Sequence, residues 1–210
     1  MVDVSHKEQS ENWLQREIWE WIKALLIAFV LVAVMRWLLF TPTIVSGPSM
    51  EPNFHDRQRL IVNKLIYHIR EPRRGEVIVF HAPEEKDYIK RVIALPGESV
   101  RVEGDEVYIN GQLLNEPYIA SAVEAAHAKG TLYNSKNFFE TPNGVVDVVV
   151  PEGTVFVMGD NRSNSKDSRM DSVGFVPMDK IVGRSDLIFW PLKDLSIVHH
   201  PKEEELGVKS

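Results

Sequence analysis

The sequence predicts a mainly β fold, in which an N-terminal single transmembrane helix is followed by an antiparallel β-rich domain with a small inserted region. Three observations carry this reading. Ile22 to Phe40 form one apolar run. From Thr43 onward the chain breaks into short segments rich in Val, Ile and Tyr, separated by turn residues. Helix signals beyond the apolar run are sparse, the best being Ala120 to Lys129.

The apolar run, IKALLIAFVLVAVMRWLLF, has 19 residues with only Lys23 and Arg36 charged. As a helix it is about 28 Å long, close to a bilayer core. Lys23 and Arg36 lie near opposite ends, where their stems reach the headgroups, and Trp19, Trp21 and Trp37 stand as interface anchors. Pro42 marks the exit. A cleaved signal and a buried core helix are the alternatives. The signal reading meets an acidic start (Asp3, Glu8, Glu11, Glu17 and Glu20) and an arginine inside the apolar stretch. The chain thus divides into an N-terminal segment 1–21, which the family resemblance described below implies is cytoplasmic, and an anchor 22–41. The flanking charges, Lys7, Arg16 and Lys23 against Arg57, Arg59 and Lys64, are too even to set orientation.

Strands are expected in RLIVNKLIY, GEVIVFHAP, YIKRVIAL, ESVRVEGDEVYINGQLL, VVDVVV, GTVFVMGD and KIVGRSDLIFW, which make 42–198 the β-rich domain. Asn110-Gly111 signals a type I′ hairpin, and Gly104-Asp105 opens another turn. Residues 118–143 read as a variable insertion and 199–210 as a flexible polar tail.

Composition excludes several function classes. At 44% hydrophobic the chain is too rich in core formers to be disordered, and its net charge of −6 without a basic run gives nucleic acid no surface to bind. Zero cysteines leave covalent chemistry to Ser, Thr or Lys. The seven histidines show no metal-ligand spacing, so neither metal nor cofactor is expected.

Three stretches carry candidate chemistry: Ser46-Gly47-Pro48-Ser49-Met50-Glu51-Pro52, Tyr88-Ile89-Lys90-Arg91-Val92-Ile93-Ala94-Leu95-Pro96-Gly97, and Gly159-Asp160-Asn161-Arg162-Ser163-Asn164-Ser165-Lys166-Asp167-Ser168-Arg169. Singly, these are a turn, a strand and a polar loop. Together, in this order behind one anchor, SGxSMxP, YIKRVIxLPG and GDNRxxSxDSR resemble the type I signal peptidases, membrane-bound Ser/Lys proteases that remove signal peptides from exported preproteins. The resemblance runs from the anchor through Phe189-Trp190. It implies Ser49 as nucleophile, Lys90 as general base and Ser165 as the hydroxyl that orients the lysine. Asp160, Asn161, Arg162, Asp167 and Arg169 match supporting positions. It further implies preproteins with Ala-x-Ala cleavage sites as substrates, and a single-pass protein of the cell membrane whose catalytic domain lies outside the cytoplasm. Shallow apolar pockets would take small side chains, with Val45, Met50, Leu60, Val79 and Ile89 as lining.

These residue types suit that chemistry. A lysine can take a serine proton only as a neutral amine, so its ordinary value near 10.4 must fall to about 7, roughly 4 kcal/mol that apolar burial can supply. On a strand Tyr88, Lys90 and Val92 share one face, which allows such a setting. Ser49 lies nine residues past Phe40, within about 30 Å of the bilayer even if fully extended. Two positions depart from the family pattern. Gly47 replaces a serine that donates to the oxyanion in other members, leaving the Ser49 N–H and a second donor from elsewhere. Asn53 stands where Thr is usual, which predicts a local hydrogen-bond change. Two rival readings are a membrane-tethered β adaptor with an inert serine and a Ser/Lys self-cleaving repressor. The repressor needs a helix-turn-helix before the catalytic region, where residues 1–45 offer an apolar anchor.

Overall fold

The computed structural model describes residues 5–84, 86–134, 140–141 and 144–208, without the side chains of 5–12, 14, 35–40, 140–141 and 144–145. The chain divides into two compact units, Met1–Phe40 and Thr41–Ser210. In the first, α1 (Ser5–Leu39) is one helix, longer on its N-terminal side than the anchor expected over 22–41. It ends just short of Pro42, which disfavours helical backbone at the residue before it, and β1 (Phe40–Ile44) follows. The apolar side chains described on α1 are exposed, Phe29 by 71%. Among the described residues no helix is long and apolar enough to cross a membrane. The apolar run continues from there through Met35 to Phe40, whose side chains lie outside those described.

The second unit is built of strands β2 (Arg59–Asn63), β3 (Val77–His81), β4 (Asp87–Ala94), β5 (Ser99–Glu103), β6 (Glu106–Ile109), β7 (Gln112–Leu113), β8 (Glu140–Thr141), β9 (Gly144–Val145), β10 (Val148–Val149), β11 (Thr154–Met158), β12 (Val176–Pro177), β13 (Ile181–Trp190) and β14 (Ser196–Ile197). Short helices α2 (Ile66–Ile69), α3 (Ala120–His127) and α4 (Glu203–Leu206) interrupt them. The larger sheet has the order β1-β2-β13-β3-β4-β11-β12, with β14 on β13, and the smaller one β10-β5-β6-β7. The strand pairs whose register is described are antiparallel.

β3 is apolar on both faces because it lies inside the sheet. Val77 and Val79 join one buried cluster with Val45, Met50 and Leu60, while Ile78 and Phe80 join another with Val92 and Val157. The Asn110-Gly111 turn has both residues at positive φ, 50° and 77°, as a type I′ hairpin requires.

Three expectations need correction. RLIVNKLIY is a strand only to Asn63, whose Oδ1 accepts from the N–H groups of Leu65 (3.1 Å) and Ile66 (3.3 Å) and turns the chain into α2. VVDVVV is broken at Val146-Asp147 between β9 and β10. The tail is not frayed through 208: Leu206 and Val208 are buried with Ile93, Val107 and Phe156, and the Leu206 carbonyl accepts from Asn115 N–H at 2.9 Å. Two apolar side chains in a polar segment suffice to dock it. The helix expected over Ala120 to Lys129 is α3; part of the insertion, 135–139 and 142–143, lies outside the described residues.

Candidate active site

Ser49 sits in a loop closed at its base by backbone bonds from Val45 N–H to Gln58 (2.8 Å) and from Arg57 N–H to Val45 (2.9 Å). The chain turns at Glu51 N–H to Pro48 O (3.0 Å) and Phe54 N–H to Met50 O (2.9 Å), and the buried Met50 and Phe54 side chains hold that turn in the core. Gly47 has φ +83°, a conformation that would strain a serine, and its N–H already donates to Asp56 Oδ1 at 2.9 Å. The glycine at this position is therefore a backbone requirement of this loop.

Lys90 lies on β4 opposite Ile78, as Tyr88 lies opposite Phe80, so the face expected for these residues is the one observed. Phe80 and Tyr88 meet edge to face at 6.1 Å. Only 3% of Lys90 is exposed. Its Nζ stands 2.8 Å from Ser49 Oγ and donates to the Ile89 carbonyl at 2.7 Å. Burial pushes the amine down to about 8, against the opposing pull of the Asp167 and Asp160 carboxylates and with some help from Arg169. A lysine in that range is a usable base near neutral pH.

β11 pairs with β4, placing Met158 opposite Arg91, so the loop that starts at Gly159 leaves the sheet beside Lys90. The loop returns at Ser168, whose N–H reaches Val157 O (3.0 Å) and whose Oγ accepts from Val157 N–H (2.9 Å). It is tied to the nucleophile turn by Asn161, through N–H to Ser49 O and Nδ2 to Pro48 O, both 3.1 Å. Buried ion pairs then fix it. Arg91 grips Asp160 with two bonds of 2.8 and 2.7 Å, and Arg169 grips Asp167 with two of 2.8 and 2.9 Å. Arg162 holds Glu116 with both guanidinium arms. Burial pushes the Asp167 carboxyl up, but Arg169 and the Gly159 N–H (2.9 Å) outweigh it and hold the group below the usual carboxylate range.

Ser165 is buried, yet its Oγ makes no hydrogen bond of ordinary length among the described residues. It stands toward Asp167, whose ionised form it favours, and against Gly159. The Lys90 amine is bonded to Ser49 and Ile89 rather than to Ser165. Asn53 donates to Asp160 Oδ2 (2.8 Å) and to the Tyr118 carbonyl (2.9 Å).

A cleft of about 190 Å³ opens beside Ser49 and Lys90, its apolar walls including Val45, Leu60, Val79 and Ile89. Met50, expected among them, is instead wholly buried in the core beneath the turn. It follows Ser49 directly, and successive side chains of a turn point different ways. The sequence reading assigned no role to Gly159, Arg91, Glu116 or Ser168. Arg91, Gly159 and Ser168 stood inside quoted motifs, but nothing local marks the partner of Arg91, 69 residues away, or that of Arg162, 46 residues away. The arrangement can pass a serine proton to a neutral amine beside a small apolar cleft.

Comparison with known proteins adds an independent line. A family described as signal peptidase, peptidase S26, matches residues 18–190. A signal peptidase I of Bacillus amyloliquefaciens is 41% identical over 193 residues, covering 90% of this chain and 95% of the relative. Signal peptidase IB of Staphylococcus aureus (strain MRSA252) is 35% identical over 191 residues, covering 90% and 98%. A crystal structure of a signal peptidase I from Enterococcus faecalis V583, 36% identical, aligns with a TM-score of 0.42 over 55% of this chain and 97% of that one.

Proposed function

Because the chain belongs to the signal peptidase family, peptidase S26, and is a serine endopeptidase, we propose that it removes N-terminal signal peptides from exported preproteins with a Ser49/Lys90 dyad. The observation that carries the dyad is the 2.8 Å approach of a buried lysine amine, lowered to about 8, to a serine hydroxyl.

In the first step the neutral Lys90 amine takes the Ser49 proton as Oγ attacks the scissile carbonyl carbon. The Ser49 N–H faces the developing oxyanion; the Gly47 N–H is committed to Asp56. The Lys90 ammonium then gives its proton to the leaving amine of the mature protein, and the signal peptide stays as an ester on Ser49. A water, deprotonated by Lys90, attacks that ester, and collapse returns the proton to Ser49 and releases the signal peptide carboxylate. Asp160, Arg91, Asp167 and Arg169 keep the 159–169 loop against the dyad without touching the reacting atoms. Ser165, buried in the same loop beside Asp167 and Gly159, orients the amine during turnover. The cleft bounded by Val45, Leu60, Val79 and Ile89 takes the small side chains before the cut.

The membrane anchor over 22–41 belongs to the same proposal. The exposed apolar face of α1 and the nine-residue link from Phe40 to Ser49 support it. Lipid is then a partner, and the catalytic unit works outside the cytoplasm near the bilayer.

The test is incubation of the full chain, purified in detergent, with a preprotein bearing an Ala-x-Ala site, followed by mass measurement of the products. A single cut after the second Ala, lost in Ser49→Ala, is the expected result. An intact preprotein, or cleavage that persists in Ser49→Ala, would overturn the proposal.

A further inference from the structure

We infer that Tyr133, in the inserted region, is a positioning residue whose hydroxyl holds the nucleophile turn and the 159–169 loop at the spacing the Ser49/Lys90 pair needs. The inference rests on the dyad proposed above.

The Tyr133 hydroxyl donates to the Asp160 carbonyl at 2.9 Å and stands 3.4 Å from the Glu51 carbonyl. Asp160 opens the loop that carries Ser165 and Asp167, and Glu51 follows Ser49 by two residues. One phenol proton thus lies between the backbones of the two segments that must meet at the dyad. With a single O–H it serves Asp160 first, and its second carbonyl partner is held by proximity.

Tyr133 is itself held from the opposite side. Its N–H (3.0 Å) and that of Asn134 (2.5 Å) donate to the Asp105 carboxylate, in the turn between β5 and β6. Asn134 Nδ2 reaches the Gly104 carbonyl at 2.6 Å, and its Oδ1 accepts from Arg169 at 2.6 Å. His127, at the end of α3, also meets Asp105, at 2.7 Å. Burial would raise the Asp105 carboxyl, but these donors hold it ionised below its usual range. The smaller sheet is therefore linked through Asp105, Tyr133 and Asn134 to Asp160 and Arg169. Asp160 pairs with Arg91, the neighbour of Lys90.

Tyr133 does not line the cleft beside Ser49. Loss of its hydroxyl should therefore act on the geometry of the reacting pair and leave substrate binding alone. An ångström of misplacement at a reacting pair costs up to about 100-fold in rate. A single relaxed tether is expected to cost about tenfold.

The experiment compares the full chain with Tyr133→Phe, Asp105→Asn and the double variant. It measures kcat and KM for one preprotein, normalised to the fraction of Ser49 that an acylating inhibitor titrates, together with the melting temperature. The expected result is a kcat lowered about tenfold in Tyr133→Phe, KM within twofold, and a melting temperature lowered by no more than a few degrees, as one lost hydrogen bond allows. The double variant should be no slower than the slower single, because both changes break one linkage. A Tyr133→Phe kcat within twofold of native would overturn the inference, as would a loss that falls on KM or that disappears once the rate is normalised to titratable Ser49. Ser49→Ala, run alongside, separates the two ideas. If it is active the dyad reading fails; if it is inactive while Tyr133→Phe is native-like, only the role of Tyr133 fails.

Discussion

Ser165 Oγ occupies the place where a side chain on residue 159 would begin: a Cβ on Gly159 would lie 2.2 Å from it and 2.4 Å from the Ser49 carbonyl oxygen. Two segments of the site, the nucleophile turn and the returning loop, therefore close over one bare α-carbon. Gly159 has no need of unusual backbone; it is glycine for room. Gly159→Ala must push Ser165 or the Ser49 backbone aside. It should lower stability by about 1–3 kcal/mol and activity by about 100-fold or more. Thermal melts and initial cleavage rates check this, and near-native cleavage by a folded Gly159→Ala protein would contradict the closeness of the two segments.

Replacing the base while keeping its charge separates proton transfer from electrostatics. Lys90→Arg retains a cation that cannot be deprotonated at working pH, so its rate should fall at least about 1,000-fold, as far as in Ser49→Ala. The native rate should rise with pH through about 8, where half of the amine is neutral, level off about a unit above, and fall below that value as the ammonium forms. Initial rates across pH, with circular dichroism to confirm folding, test both statements. Substantial activity in folded Lys90→Arg would send the search to another proton acceptor.

Stability should also rise with pH, over a higher window. Because burial lowers the folded-state amine to about 8, the unfolded chain binds the lysine proton more tightly. The native protein is therefore penalised at all pH values below about 8, by about 3 kcal/mol, and the penalty disappears as pH rises toward 10.5. Lys90→Met, apolar and of similar length, should be inactive yet more stable by up to that amount at pH 7, with the advantage gone near pH 10.5. Urea unfolding at the two pH values reads the difference. A methionine variant less stable at both would mean that burial is not what tunes the lysine.

Removing the Ser165 hydroxyl takes away its contact with the Asp167 carboxylate, which keeps Arg169 and the Gly159 N–H as donors. Ser165→Ala should therefore melt within a few degrees of native while turnover falls by about tenfold or more. Ser163, exposed and bonded only weakly to Asn161 at 3.2 Å, is the control, and Ser163→Ala should retain nearly full rate. Equal losses at the two positions would remove Ser165 from the mechanism.

Topology is open to a direct measurement. The proposed orientation, with 1–21 in the cytoplasm and 42–198 outside, predicts that protease added to intact protoplasts degrades the catalytic unit. Complete protection of that unit would reverse the proposed orientation.

The features legible in the sequence are those written in short stretches of chain. The hairpin at Asn110-Gly111, the strand periodicity around Lys90 and the order of the three motifs each depend on neighbours within a few residues, where backbone preference and side-chain alternation act. Even the candidate dyad could be named, because its residue types recur in fixed local patterns. What only the tertiary structure decided is how those stretches meet. The pairing of Arg91 with Asp160, of Glu116 with Arg162 and of Tyr133 with Asp160 joins positions 27 to 69 residues apart, and nothing in their local sequence selects the partner. The same holds for Met50, withdrawn from the cleft into the core, and for Leu206 and Val208, which dock a tail that reads as polar. Above all, the sequence places a lysine on a strand, while the packing of Ile78, Tyr88 and the 159–169 loop around it removes the water. That loss of hydration, a property of the folded surroundings and not of the residue, is what brings its amine within range of acting as a base.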